Sequence, residues 1–481
     1  MSLHTGDTIE VTALEAAQGG WCVARPEGAP VVFVRHALPG ERVRARVTEV
    51  TSKLARADAV EVLDASPDRV APPCPSARPG GCGGCDWQHA TLPAQRALKA
   101  SVVAQQLRRL AGIDRDVTVE PLPGDEPDGQ SSGESADGDE NRPGLGWRTR
   151  VQFAVREDGV AGLRAHRSHE VIDVGDCLIA HPAIRDLGIP RLSWPGATGV
   201  EAVTGEAADG SDQRAVIVSS GRKPERGRYP ARGSRKERGE QSRTEGARAG
   251  ATSQPESRQP ESRGAHGGPD GVTAVTAETV LRRAGRKRTP VRGGEFLNEH
   301  AAGRDWRVNA GGFWQVHPAA AGTLTEAVLD ALEPRPGDTA LDLYCGAGLF
   351  AGALARVVGP DGTVIGIESD EAAVRDARHN LRATPWARTH RGDVAQVLGR
   401  GGLPLARLAV ADPPRAGLDR VVVDYLTNSG TERFAYVSCD SATFARDIGL
   451  LVKGGWRLDA LRAFDAFPMT HHVECVATLT R

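Results

Sequence analysis

Long apolar runs are missing from this 481-residue chain. A bilayer span takes about 20 consecutive apolar residues, so membrane insertion is not expected. The stretch from Met1 to Val11 lacks a charged-then-apolar leader, so secretion is not expected either, and the cytoplasm is the expected location. An excess of positive charge is also missing: 60 Lys and Arg stand against 62 Asp and Glu, a net charge of -2. That balance excludes a uniformly basic nucleic-acid coat and leaves only local patches for a polyanion. Cysteine is scarce, with eight in all, too few for a disulfide-stapled secreted scaffold. Three of the eight nevertheless crowd between positions 74 and 85, a clustering that suggests a metal site in a reducing compartment. What the chain does have is 40% apolar residues, material for two to four domains with sizeable cores.

Charge comes in blocks. Seven acidic residues and no basic one lie between Gly124 and Glu140, and twelve Arg and Lys face six Glu between Gly221 and Gly268. Gly, Ser, Gln and Pro fill much of the rest, offering too little apolar surface to offset the entropy of ordering. Disordered insertions are expected over 124–142 and 221–270. The basic run reads equally as a solvated linker and as an aid in holding phosphate. Thr8 to Leu63 carries short alternating strands (Ile9–Thr12, Val31–Val34, Glu41–Val47) split by Gly and Pro turns, which predicts a small five-strand barrel over 1–64. A helix from Ala94 to Ala111, bounded by Pro93 and Gly112, and an Arg-rich hairpin over 146–154 and 159–163 fall in an α+β central domain, 65–310. From 311 to the end the pattern becomes strand, Gly-rich turn, helix, strand, the signature of an α/β domain.

In that last domain Thr339 to Phe350 reads as a buried strand that ends in Cys345-Gly-Ala-Gly348 and opens a helix. Glycines at 346 and 348 let the backbone bend and approach a ligand at the helix amino end. A second strand ends at Glu368, where an acid accepts both hydrogen bonds of a ribose diol, and a third ends near Asp393, within reach of an adenine amino group. The turn lacks the three-glycine dinucleotide fingerprint, so S-adenosylmethionine fits better than a pyrophosphate cofactor. Surface-acid and helix-cap readings stand beside these roles for Glu368 and Asp393.

The fourth strand ends in Asp412-Pro-Pro-Arg415, a rigid loop over the crevice. The fifth, Arg433 to Ser438, is followed at once by Cys439 and a helix. Beside a helix amino terminus the dipole lowers a thiol pKa, which makes Cys439 the candidate nucleophile, whereas Cys22, Cys345 and Cys475 read as small buried residues. Glu474 interrupts an apolar closing strand, and a buried carboxylate there has a raised pKa and serves as a general base. His471 and His472 read as acid/base groups, ligands or phosphate contacts, with strand-edge hydrogen bonding the commoner fate.

Gln315 in Gly312-Phe-Trp-Gln-Val-His, Asp342-Leu-Tyr-Cys-Gly-Ala-Gly, Asp412-Pro-Pro-Arg-Ala-Gly-Leu, Tyr436-Val-Ser-Cys-Asp and Phe467-Pro-Met-Thr-His-His-Val-Glu together resemble the RNA uracil-5-methyltransferase family. The resemblance spans about Gly311 to the end and implies a Rossmann-like S-adenosylmethionine methyltransferase fold. It implies that Gln315, Tyr344, Glu368, Asp393 and Asp412 line the cofactor and uracil pocket, that Cys439 is the nucleophile and that Glu474 is the base. The chain departs from the pattern at Leu349, where many members have Asn. Cytosine-5 methylation also uses a cysteine, usually in a Pro-Cys or Thr-Cys context absent here. A non-catalytic RNA-binding assembly factor is a third alternative, against which Cys439 and Glu474 argue.

Cys74, Cys82 and Cys85 form C-x7-C-x2-C in a Gly/Pro-rich loop, and Cys177 is the fourth cysteine available in the central region. Four thiolates fit zinc or a four-iron cluster, and spacing does not choose. The ribosomal-RNA branch of the family has a similar C-x5-C-G-G-C with a distant fourth cysteine, and this implies a [4Fe-4S] cluster with a structural role, zinc remaining the alternative. The first sixty residues resemble the TRAM domain, an RNA-binding barrel, in which Arg35, Arg42, Arg44, Arg46, Lys53 and Arg56 would track phosphate. Trp147-Arg-Thr-Arg150 and Arg164-Ala-His-Arg167 are further RNA-facing candidates. The partner implied is 23S ribosomal RNA ahead of transfer RNA, with no obligate protein partner. The target uridine must be flipped or unpaired for a cysteine to reach its face.

Overall fold

The computed structural model describes residues 3–125, 142–221, 270–285 and 287–481. The insertions expected over 124–142 and 221–270 lie outside the described residues except at their edges.

The first sheet has six strands, Thr8–Thr12, Glu15–Ala17, Trp21–Ala24, Val31–Arg35, Arg42–Val50 and Leu54–Asp64, arranged in the order first, fifth, sixth, fourth, third, second. Five were expected; Glu15–Ala17 is too short to display an alternation of its own. In Arg42–Val50 the period of two buries Val43, Ala45 and Val47 and turns Arg42, Arg44 and Arg46 to the other face. Three register shifts against Leu54–Asp64 bend the sheet over a core that includes Ile9, Val11, Cys22, Val32 and Val34.

The central sheet has seven strands, in the order Val171–Ile172, Ala161–Arg164, Arg150–Val155, Ala197–Glu206, Asp212–Ser220, Thr279–Ala284, Lys287–Arg292. The expected hairpin forms in it, with Ala154 opposite Gly162. A separate hairpin, Phe296–Ala301 with Arg304–Asn309, leads into the last unit.

There, eight strands run in the order Ala387–Arg391, Thr363–Glu368, Thr339–Leu343, Leu408–Ala411, Arg433–Ser438, Glu474–Thr480, Arg457–Phe464, Val119–Glu120. The first five are parallel, and Glu474–Thr480 runs antiparallel to Arg433–Ser438. The order reverses between Thr339–Leu343 and Leu408–Ala411, which opens a crevice at the strands' carboxyl ends. Leu408–Ala411 is buried at every position, as a parallel strand covered on both faces requires.

Two pieces from far upstream complete this unit. Val119–Glu120 supplies the edge strand, and helix Leu92–Gln106 packs on helix Ser441–Lys453. The first of these helices starts with Thr91 accepting from the Ala94 amide, passes through a π-helical turn over Leu107–Ala111, and stops at Gly112 with φ 71°.

Candidate active site

Strand Thr339–Leu343 delivers Tyr344 in the left-handed region, φ 66°, a conformation a non-glycine residue rarely takes. It turns the chain into Gly346 and Gly348 at the amino end of helix Leu349–Val358. A Cβ built on Gly346 meets nothing within 4 Å, so the turn faces open space. Beneath it Asp342 is fully buried, one carboxylate oxygen accepting from the Ala351 amide at 2.7 Å and the other without a partner. Burial, with Asp412 and Glu368 nearby, pushes its pKa up to about 8. Glu368 accepts from the Gly346 amide at 3.1 Å and from the Asp370 amide at 2.7 Å. Asp393 is exposed and caps helix Val394–Arg400, accepting from the Gln396 amide at 3.0 Å.

Asp412 leaves the end of Leu408–Ala411, and Gln315 Nε2 donates to its Oδ2 at 3.4 Å. Burial pushes the Asp412 carboxyl up to about 7. The antiparallel register sets Ser438 opposite Cys475, so Cys439 leaves its strand beside Glu474, the first residue of the closing strand. Glu474 is buried; burial and then Asp412 raise its pKa, and Arg415 opposes them. The Arg415 guanidinium lies against the Cys439 thiol and also meets His472 Nε2 at 3.2 Å.

The expectation of a low thiol pKa is corrected by this geometry. Burial first, and the Glu474 charge second, push Cys439 up to about 12, with Arg415 only partly offsetting them. The helix amino end does not serve the thiol, because Asp440 occupies it, accepting from the Thr443 amide at 2.8 Å.

Sequence reasoning missed the support behind this site. Met469, at φ 68°, offers its carbonyl to the Asp86 and Trp87 amides at 3.0 Å each, and its amide donates to Gln95 Oε1 at 2.8 Å. Asp86 Oδ2 meets His471 Nδ1 at 2.6 Å, and its other oxygen meets Arg35 Nη2 at 3.4 Å. No local signal marks Asp86, whose partner lies 385 positions away. Phe313, 67% exposed and two residues before Gln315, was also passed over.

The residues expected to contact phosphate are placed as follows. Arg35 is buried on Asp86; Arg42 and Arg44 engage Glu10, Asp64 and Glu61; Arg56 pairs with Glu49 at 2.6 Å. Arg46 and Lys53 are exposed. Arg150 is tied to Glu201 at 3.0 Å and to the Ala310 carbonyl at 2.9 Å, and Trp147 is buried, stacked on His317. These partners were invisible to strand alternation, which identifies a face and not what lands on it.

Cys74, Cys82, Cys85 and Cys177 line one cavity of about 890 Å³ together with Arg148. Burial raises the Cys82, Cys85 and Cys177 thiols, the last to about 11, while Arg148 favours the thiolates of Cys82 and Cys177. Among the described residues no three metal-binding side chains close on one point. A tetrahedral zinc ion would bring its sulfurs to about 3.8 Å from one another, given Zn–S bonds of about 2.3 Å.

Three family models match: TRAM domain over residues 3–60, methyltransferase domain over 334–390, and tRNA (uracil-5-)-methyltransferase over 406–481. An uncharacterized RNA methyltransferase of Streptomyces coelicolor is 48% identical, over 98% of this chain and 93% of that protein. Another, of Bifidobacterium longum, is 33% identical over 98% of this chain and 96% of its own length. The crystal structure of Pyrococcus abyssi tRNA (uracil-54, C5)-methyltransferase with S-adenosyl-L-homocysteine covers 98% of this chain and 100% of that one, with a TM-score of 0.65 and 21% identity, a likeness of fold. With a TRAM domain in front, a Rossmann-like methyltransferase domain behind and relatives of this closeness along its whole length, the chain belongs to the RNA uracil-5-methyltransferase family and is an RNA methyltransferase.

Proposed function

We propose that the chain methylates carbon-5 of a uridine in RNA, with 23S ribosomal RNA as the substrate, through a covalent bond from Cys439 to carbon-6 of the ring. The observation that carries this reading is the meeting of Cys439, Glu474, Asp412, Gln315 and Arg415 at the carboxyl edge of one sheet, beside the open Gly346 turn. S-adenosylmethionine suits the crevice: Gly346 leaves room for a ligand, one buried Asp342 oxygen has no partner, and Glu368 stands at the turn, bonded to the Gly346 amide. When bound, it supplies an electrophilic methyl group.

Carbon-5 of uracil is a weak nucleophile and needs activation by addition at carbon-6. Asp412 and Glu474 share one buried site, where burial raises both carboxyls and Asp412 raises Glu474 further. A carboxylate of this pair takes the thiol proton as the Cys439 sulfur bonds to carbon-6, and the ring's electron pair moves to the carbon-4 oxygen. Arg415 stabilises the sulfur as it sheds its proton, and Gln315 and Asp412 orient the ring. Carbon-5 then takes the methyl group, and the carboxyl pair releases one proton to solvent. Glu474 removes the carbon-5 hydrogen, the carbon-6 to sulfur bond breaks, and the thiolate recovers a proton from the pair. Phe313, exposed two residues before Gln315, offers a face for stacking a base.

The ribosomal substrate is supported by the amino-terminal barrel together with the three-cysteine loop and Cys177. Transfer RNA is the second reading, favoured by the likeness in fold to the Pyrococcus abyssi enzyme over the whole chain. We assign Cys74, Cys82, Cys85 and Cys177 to a [4Fe-4S] cluster: they line one cavity with the Arg148 cation beside them. Such a cluster would tie the loop around Cys82 to the segment around Cys177.

Cys439→Ala should abolish transfer of labelled methyl to RNA, and Glu474→Gln should accumulate a protein–RNA adduct stable in denaturing gels. An active Cys439→Ala enzyme would refute the scheme. Nucleoside mass spectrometry of a strain lacking the protein should show 5-methyluridine lost from 23S RNA; a loss confined to transfer RNA would move the substrate there.

A further inference from the structure

We infer that Gln18, on the amino-terminal barrel, is a positioning residue of the methyl-transfer site, so that the barrel acts as a clamp on the nucleophile's turn as well as an RNA-binding module. Its Nε2 donates to Asp440 Oδ2 at 3.2 Å, and its Oε1 accepts from the Ser441 hydroxyl. Asp440 and Ser441 are the two residues that follow Cys439. The other Asp440 oxygen accepts from the Thr443 amide at 2.8 Å, so one carboxylate is held by the barrel on one side and by the helix on the other. On the near side of Cys439, the Ser438 hydroxyl accepts from the Asp440 amide at 3.4 Å. The sulfur therefore hangs from a turn whose exit is fixed by a residue more than 420 positions earlier.

The same barrel turn reaches the opposite wall of the crevice. Gly19 and Gly20 have φ of 90° and 78°, and a Cβ on Gly20 would lie 2.6 Å from the Asp86 Cβ. The approach thus depends on glycine. Asp86 holds His471, whose ring lies 4.1 Å from that of His472, and His472 meets Arg415, the cation against the Cys439 thiol. One turn of the barrel bears on the nucleophile's backbone through Gln18 and on its counter-charge through Asp86. A purely adhesive contact between domains would have no reason to fall on these two places. The physical consequence is kinetic: addition to carbon-6 requires the sulfur in near-attack position, and a displacement of about 1 Å costs on the order of a hundredfold in rate.

The inference rests on Cys439 being the nucleophile, and the test separates the two. Gln18→Leu fills the same space without the two hydrogen bonds. It should lower kcat for RNA methylation by about ten- to a hundredfold, with KM for RNA and Tm near wild type. Ser441→Ala removes one of the same bonds from the other side and should lower kcat in the same sense. The double variant should be no slower than the slower single one, because both act through one contact. Should Gln18→Leu lower Tm, Ser441→Ala decides. A wild-type kcat, or a loss confined to KM, beside an inactive Cys439→Ala overturns the clamp alone; an active Cys439→Ala overturns the nucleophile assignment itself.

Discussion

Lys99 lies in the middle of helix Leu92–Gln106 with no solvent exposure, paired with Asp465, whose side chain is 2% exposed, and donating to the Phe467 carbonyl at 3.0 Å. Burying an ammonium and a carboxylate costs several kcal/mol per ion, offset only by close pairing and by partners for the remaining donors. Burial indeed pulls the Lys99 pKa down, and Asp465 pulls it back. Lys99→Met keeps the aliphatic stem but strands the Asp465 carboxylate, an expected loss of about 3–5 kcal/mol, while the Phe467 carbonyl keeps the Thr470 amide and hydroxyl as donors. Against a typical total of about 5–15 kcal/mol this is a large fraction. Lys99→Met with Asp465→Leu leaves no charge unpaired and the Phe467 carbonyl still bonded to Thr470, an expected cost of about 1 kcal/mol or less. Asp465 and Phe467 start the loop that ends at Glu474, so Lys99→Met should also depress methyl transfer in whatever fraction remains folded. Urea unfolding of both variants, compared by midpoint and slope, supplies the measurement. A Lys99→Met cost below about 1 kcal/mol, the range of a solvated pair, or a double variant less stable than the single one, would refute the reasoning.

His36 and His89 are buried neutral, their pKa values pulled chiefly by burial from 6.5 to about 3 and about 4. Because the folded values lie below the unfolded ones, the stabilisation is full above pH 6.5 and is lost as pH falls through 5 towards 4 and 3, about 2 kcal/mol per ring between pH 7 and pH 5. The double variant His36→Gln, His89→Gln should therefore lose about 4 kcal/mol less than wild type over that interval in urea melts; equal losses would refute it. Protein purified without oxygen should show visible thiolate-to-iron absorption and contain iron and sulfide. Chelation or Cys85→Ser should then lower Tm, whereas a colourless, zinc-containing protein would overturn the cluster.

The parts of the site that were legible in the sequence are those where a strand ends. Asp412, Cys439 and Glu474 each border a strand whose apolar run is continuous because both faces are covered, and each breaks that run with a polar residue. Local pattern suffices to find such positions, and the sheet then brings them together, parallel from Leu408–Ala411 to Arg433–Ser438 and antiparallel at Glu474–Thr480. The charge state of the same residues was not legible, because it depends on neighbours from other elements. A dipole argument for Cys439 counts one helix, yet that helix is already capped by Asp440, and the carboxyls that raise the thiol arrive on two other strands. Arg35 shows the converse case. Its strand was readable, but alternation could not reveal that Asp86 would meet it in the interior and convert a phosphate contact into a strut. From Asp86 the path continues through His471 and His472 to Arg415 and the thiol, five side chains from four separate stretches of sequence. Of these, pattern alone had made Cys439 the nucleophile and had offered His471 and His472 as acid/base groups, ligands or phosphate contacts. The remainder owe their position to tertiary contact, and substitution of Asp86, which strands the buried Arg35 guanidinium, should lower stability as well as the rate, as Lys99→Met does.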